Sequence, residues 1–311
     1  MRSRINAILP IVVLLFVSAG VFAQIHAPVT GYLFDNGAGS LRAVRGIPGA
    51  AVLDAGIDVQ MTIDRAAVSP NQDYSFLVSD ETLFILKFGD RSEPRPLLQA
   101  PNRIALSPSG SAAALLYTES RVMRIVTGLP DRFQMLREFA IDESFDLSQT
   151  MAVSDQGDAV LGTDFYSREG AISPLMGIGK TSAAVFIKNR SDLIVVDGAF
   201  NQIVRFTAPA HGTSRITIAE EGDGVLDPIG VGASLDGRRV FASMGSGTII
   251  SADLTSGQLT TMLCNCRPST MQQLKGNAVF RLTDIEYSGI LILDGDADEP
   301  RIVTTPASFQ N

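Results

Sequence analysis

Residues 103–117 read RIALSPSGSAAALLY: an apolar strand, a tight turn carrying Ser107, Pro108 and Gly110, and a second strand of small and apolar residues coming back. The same pattern returns as AAVSPNQDYSFLV at 66–78, MAVSDQGDAVLGT at 151–163 and GASLDGRRVFASM at 232–244. Looser copies stand at 185–197 (VFIKNRSDLIVVD) and 272–283 (QQLKGNAVFRLT). Aligned on Ser69, Ser107, Ser154, Ile187, Ser234 and Leu274, the copies fall at intervals of 38, 47, 33, 47 and 40 residues, with a mean of 41. Strand-rich repeats of roughly 40–50 residues have the period of a four-stranded propeller blade. The spacing therefore predicts an all-β chain, folded as a single β-propeller of four-stranded antiparallel sheets.

The number of blades follows from the length. An N-terminal segment, residues 1–23, carries Arg2 and Arg4, an apolar run at 8–17 and the small-residue ending Val21-Phe22-Ala23, which reads as a signal peptide cleaved before Gln24. Its apolar stretch falls short of the ~20 residues needed to span a bilayer, and no later segment is apolar for long enough either. An uncleaved anchor is the alternative. The expected organisation is a signal peptide at 1–23, a lead-in at 24–29, a propeller at 30–306 and a tail at 307–311, exported to the periplasm or the medium. The 288 residues left after the signal peptide, divided by the mean interval, give seven blades, with six as the alternative.

Between the repeats lie second hairpins, such as ETLFILKFGDRSEPRPLL at 81–98 and RVMRIVTGLPDRFQMLREF at 121–139, which read as the outer strands of each blade. The hairpin at 30–46, turning at Asn36-Gly37-Ala38-Gly39, resembles these outer hairpins and has no inner hairpin before it. It reads as half a blade, completed by strands from the C-terminal end so that no sheet edge is left open.

In such blades the crossover loops gather at one face around the central channel. Here they carry Asp142, Glu143, Asp146, Glu220, Glu221, Asp223 and Asp227, with Arg267 on the last of them, and these residues form the expected binding face. Solvated loops are acidic for plain reasons of solubility, so the charge alone names no ligand. A net charge of −8 argues against nucleic acid, whose phosphates call for clustered Lys and Arg.

Motifs that carry chemistry are few. GIGKTS at 177–182 ends like a phosphate-binding loop, but Pro174 stands where its first glycine belongs and no helix pattern follows. DGDADE at 294–299 spaces carboxylates as a calcium loop does, yet Glu299 replaces the turn glycine and Thr305 the closing glutamate; it reads as an acidic turn. The two histidines, His26 and His211, fall in the lead-in and an outer turn, so a Ser-His-Asp triad has no base over the channel. The two cysteines, Cys264 and Cys266, have no partners except each other; an exported chain favours a disulfide between them over a soft-metal site lacking its third ligand.

With the SPxG and LDGR turns in hand, the chain resembles the YVTN/WD40-like class of β-propellers, whose SPDG turn is approached by Ser107-Pro108-Ser109-Gly110 and Ser234-Leu235-Asp236-Gly237. Residues 264–303 are similar to the closing segment of uncharacterised exported bacterial propeller proteins. The sequence has no Trp, so the Trp-Asp signature of true WD40 repeats is absent. The resemblance implies a fold and leaves function to the site. Two functions are expected. One is an exported, non-catalytic platform without a cofactor, binding a protein, peptide or glycan. The alternative is a metal-dependent hydrolase or lactonase with one divalent cation held by carboxylates in the channel mouth.

Overall fold

Four buried serines explain the repeat. Ser69, Ser107, Ser154 and Ser234 are 0–1% exposed, and each opens a turn between two strands. The hydroxyl oxygens accept the N–H groups of Asp73 (3.2 Å), Ala112 (3.0 Å), Asp158 (2.9 Å) and Arg239 (2.9 Å) as the chain returns. The backbone closes the same turns: the N–H groups of Ser69, Ser107 and Ser234 donate to the carbonyls of Tyr74, Ala112 and Arg239 at 2.9 Å. Ile187 and Leu274 keep that backbone bond, to Asp192 at 2.9 Å and Val279 at 2.8 Å, and simply lack the hydroxyl. The turn is thus a backbone device to which serine adds one buried bond. Ser107→Ala should leave the Ala112 N–H without that partner and cost about 1 kcal/mol, lowering Tm by about 2–4 °C in a thermal melt.

The computed structural model describes residues 27–89, 93–211, 214–269, 271–286 and 289–308. The expected signal peptide, with its cleavage site, lies outside the described residues. Six sheets have four strands in chain order, and the N-terminal one has three, so the chain is a seven-bladed propeller. Among the described residues its only helical pieces are 3-10 turns at Pro209–His211 and Glu221–Asp223, and no helix there is long and apolar enough to cross a membrane.

Each strand's sequence matches its distance from the channel. In the third blade the second strand, Ala112–Tyr117, is buried throughout because blades cover both of its faces, which is why it is a continuous apolar run. The next strand, Val122–Thr127, is buried at alternate positions, and the outer one, Gln134–Ala140, is exposed except at Phe139. Seven apolar clusters fill the seven gaps between adjacent blades. One of them joins Leu33, Val44 and Leu53 of the first blade to Leu274, Val279, Ile290 and Ile292 of the last, so the ring is closed by packing.

The first blade departs from the expectation. Its strands are Val29–Asp35, Ser40–Arg45 and Val52–Ile57. The Thr30 carbonyl accepts the N–H of Lys275 at 2.7 Å, and the Tyr32 N–H donates to Gln72 Oε1 at 2.6 Å. Lys275 and Gln72 both belong to inner turns. The strand therefore starts at the turn face and runs away from it, opposite to the inner strands of the other blades. The sheet holds the second, third and fourth strands of a blade, and the hairpin at 30–46 is its inner pair, not the outer pair the sequence suggested. The missed strand, VLDAGI, contains Asp, Ala and Gly, which are poor strand formers.

Closure also differs from the expected exchange of whole strands. The last blade builds all four strands from its own residues. Among the described C-terminal residues, 306–308 cross to the first, where Leu53 N donates to Pro306 O (2.9 Å), Ser308 N donates to Leu53 O (2.8 Å), and Leu53 and Ala307 form a parallel bridge. Gln72 completes the seam by donating from Nε2 to Gln273 O at 2.7 Å, so one side chain ties blades two, one and seven.

Candidate functional site

The two faces of the disc are chemically unlike. On the turn face, side chains bond turn to turn. Asp155 accepts from Ser109 N at 2.8 Å on one side and from Asn189 N at 2.8 Å on the other, joining three blades. Asn71 donates to Ser109 O at 2.6 Å, and Asp236 N donates to Asn277 Oδ1 at 2.9 Å. Lys188 Nζ donates to Asn71 Oδ1 at 3.2 Å, linking the fifth blade's turn to the second's. These polar groups are already satisfied by each other.

The crossover face carries the expected acidic residues, all of them exposed. Asp142, Glu143 and Asp146 lie on the loop entering the fourth blade. Arginines fix that loop through its carbonyls: Arg121 donates to Phe145 O at 2.7 Å and Arg103 to Leu147 O at 2.7 Å. Burial lowers the Arg103 pKa, with Asp146 opposing. Hydrogen bonds from the Ser144 hydroxyl and N–H hold the Asp142 carboxyl below its ordinary pKa. The Ser148 N–H does the same for Asp146. These carboxylates stay ionised and outward-facing.

Glu220, Glu221, Asp223 and Asp227 lie two crossovers further round. Asp223 Oδ2 accepts the Glu220 N–H at 3.0 Å around the 3-10 turn, and Asp227 holds a left-handed φ of 50°. The two acidic loops enter different blades. Among the described residues no three or more His, Cys, Asp or Glu side chains come together in a way that could hold a metal ion.

The loop GIGKTS shows why it looked like a phosphate cradle. The N–H groups of Gly179 (2.8 Å) and Lys180 (3.1 Å), with that of Ala199 (2.9 Å), all donate to the buried carboxylate of Asp197. The chain supplies its own anion. In DGDADE, Asp294 accepts Arg301 at 3.1 Å and Asp296 accepts the N–H groups of Asn277 (2.7 Å) and Ala278 (2.8 Å), as an acidic turn would. Cys264 and Cys266 form a disulfide with Cα atoms 5.1 Å apart. Arg267 beside them is exposed and lines a shallow cleft with Asn265, Glu286 and Thr304. His26 lies outside the described residues, and the His211 backbone sits on an outer turn away from the channel.

Sequence reasoning expected a central channel but not its lining; the channel is a cavity of about 510 Å³ walled by the inner strands. Its lining is mixed: Ala67, Ala105, Val153, Val185 and Val231 come from successive blades, beside larger residues such as Phe34, Met151 and Phe186 and the amides Asn36 and Gln272. Arg281 also lines it. That arginine stands on the second strand of the last blade, Val279–Arg281, two residues beyond Val279, and so faces the first blade as Val279 does. Its side chain is 11% exposed, and burial pushes its pKa down, with Asp284, 3.7 Å away and largely solvent-exposed, opposing. The signal was available: FRLT places a cation inside a strand that reads as buried.

No protein-family model matches the chain, and no curated protein matches it. Among solved structures, the chain is similar to a functionally unknown protein from Desulfotomaculum acetoxidans, with 11% identity and a TM-score of 0.58 over 88% of this chain and 99% of that one. At that identity the likeness concerns the fold alone.

Proposed function

We propose that the chain is an exported, non-catalytic propeller of the YVTN/WD40-like class that binds a protein, peptide or glycan across its crossover face. One observation carries this reading. The polar groups of the turn face bond to each other, whereas the crossover face presents ionised carboxylates on a loop that two arginines hold in shape. A pre-formed loop binds without a large ordering cost. Its charge selects cationic partners.

The test is binding of a lysine-rich and an acidic peptide library, and of a glycan array, to the mature protein. Lysine-rich peptides should be retained, and retention should fall as salt shortens the screening length from about 10 Å at 0.1 M. It should also fall in the triple variant Asp142→Asn, Glu143→Gln, Asp146→Asn. Retention that ignores both salt and the variant would overturn the crossover face as the binding surface. Export has its own readout, since the intact mass of secreted protein should begin at Gln24.

For the metal reading, calcium, magnesium, manganese and zinc should each move Tm by about a degree or less. A tight site at a hundredfold excess over Kd would add ~2.7 kcal/mol and several degrees. Stoichiometric metal lost in Asp142→Ala or Glu221→Ala would make the hydrolase the better reading.

A further inference from the structure

The channel offers a second site, unconnected with the acidic loops. Arg281 is the one charged residue among the described residues that line it. Among the described residues its fully buried Nε has no hydrogen-bond partner, and the carboxylate paired with it, Asp284, lies 3.7 Å from the guanidinium with a side chain 62% exposed to solvent. A buried guanidinium without a full complement of acceptors is costly, because desolvation is offset only when donors find partners. Guanidinium presents its donors as a planar fork that fits a carboxylate with two parallel bonds. The remaining polar side chains at this end, Asn36 and Gln272, are neutral amides able to bond the same group. Beyond them alanines and valines contribute apolar side chains to the wall from blade to blade.

We propose that the central channel binds a small amphipathic carboxylic acid, its carboxylate on Arg281 and its apolar body against the inner-strand valines and alanines. Charge and shape both enter this assignment. A cation would meet like charge at Arg281, and a fully polar anion would leave the alanine and valine side chains of the wall wet. The volume of about 510 Å³ accommodates an acid of moderate chain length.

The test compares octanoate with 1-octanol by isothermal titration on the full mature protein. The pair shares a chain and differs in charge. Octanoate should bind about 10- to 100-fold more tightly than octanol, the range of a charge-assisted hydrogen bond. Arg281→Gln should remove that difference and Arg281→Lys should keep part of it, with far-ultraviolet circular dichroism reporting the fold of each. A diazirine-bearing octanoate should crosslink to peptides containing Val153, Val185 or Val231. That readout needs no variant, so it stands even if Arg281→Gln does not fold. The proposal is overturned if octanoate fails to bind at concentrations up to about 10 mM. It is equally overturned if octanol binds as well, if Arg281→Gln binds octanoate like the parent, or if crosslinks fall outside the channel. None of these outcomes touches the peptide-binding test of the crossover face.

Discussion

Deletion of residues 24–46 is expected to abolish soluble, monomeric protein. The deletion removes the strands Val29–Asp35 and Ser40–Arg45, and with them Leu33, Leu41, Ala43 and Val44, all 0–2% exposed. Burial of a leucine or valine side chain contributes about 1.5–3 kcal/mol, so these residues alone represent several kcal/mol. Total stability of a domain is about 5–15 kcal/mol. Two of the seven interblade clusters lose members at once, the one shared with the last blade and the one shared with the second. Gln72 also loses its acceptor role to Tyr32. Val52–Ile57 would then stand as an unpaired strand, a template for association between molecules. Gel filtration of the expressed fragment should show aggregate or nothing. A monomeric peak with a cooperative melt would mean that six blades close without the seventh, and that the seam is not where the ring is held.

The propeller was legible because its repeat is written in residues with a backbone reason. Ser107 and its equivalents sit where a hydroxyl can accept a buried N–H, and the following strand is apolar throughout because both faces are covered. Where that reason weakens, so did the reading. The strand Val52–Ile57 carries Asp54, Ala55 and Gly56 and is held by tertiary contacts such as the fully buried Leu53, which no local pattern displays. The acidic residues are exposed on crossover loops, but the arginines that shape the first of these loops bond carbonyls 24 and 44 residues away, a relation invisible along the chain. The channel was expected, but which residues line it was not. Much of its wall comes from residues that read as ordinary core, such as Ala105, Val153 and Phe186, and only the meeting of strands from all seven blades brings them to one cavity.

Gly247→Ala should lower Tm by several degrees more than Gly257→Ala. Both glycines hold left-handed backbone, with φ of 88° and 74°, a conformation that costs other residues roughly 1–2 kcal/mol. Their surroundings differ. A Cβ at Gly257 would meet nothing within 4 Å, so its substitution measures the backbone cost alone, about 2–4 °C per kcal/mol. A Cβ at Gly247 would stand 2.5 Å from the carbonyl oxygens of both Cys264 and Cys266. Those oxygens are backbone and cannot rotate aside. Cys264 N donates to Gly247 O at 2.8 Å, and the disulfide ties the two cysteines to one another, so the whole turn would have to move. The added clash should bring the total to about 3 kcal/mol or more, among the larger effects of single substitutions. Differential scanning calorimetry of both variants, with and without reductant, separates the terms. Reduction frees the Cys-Asn-Cys ring and should narrow the gap between the variants, whereas the Gly257→Ala loss should be unchanged by reductant once the parent's own shift is subtracted. Equal losses under oxidising conditions would show that the ring does not pack on Gly247, and the glycine would then be explained by its backbone angle alone.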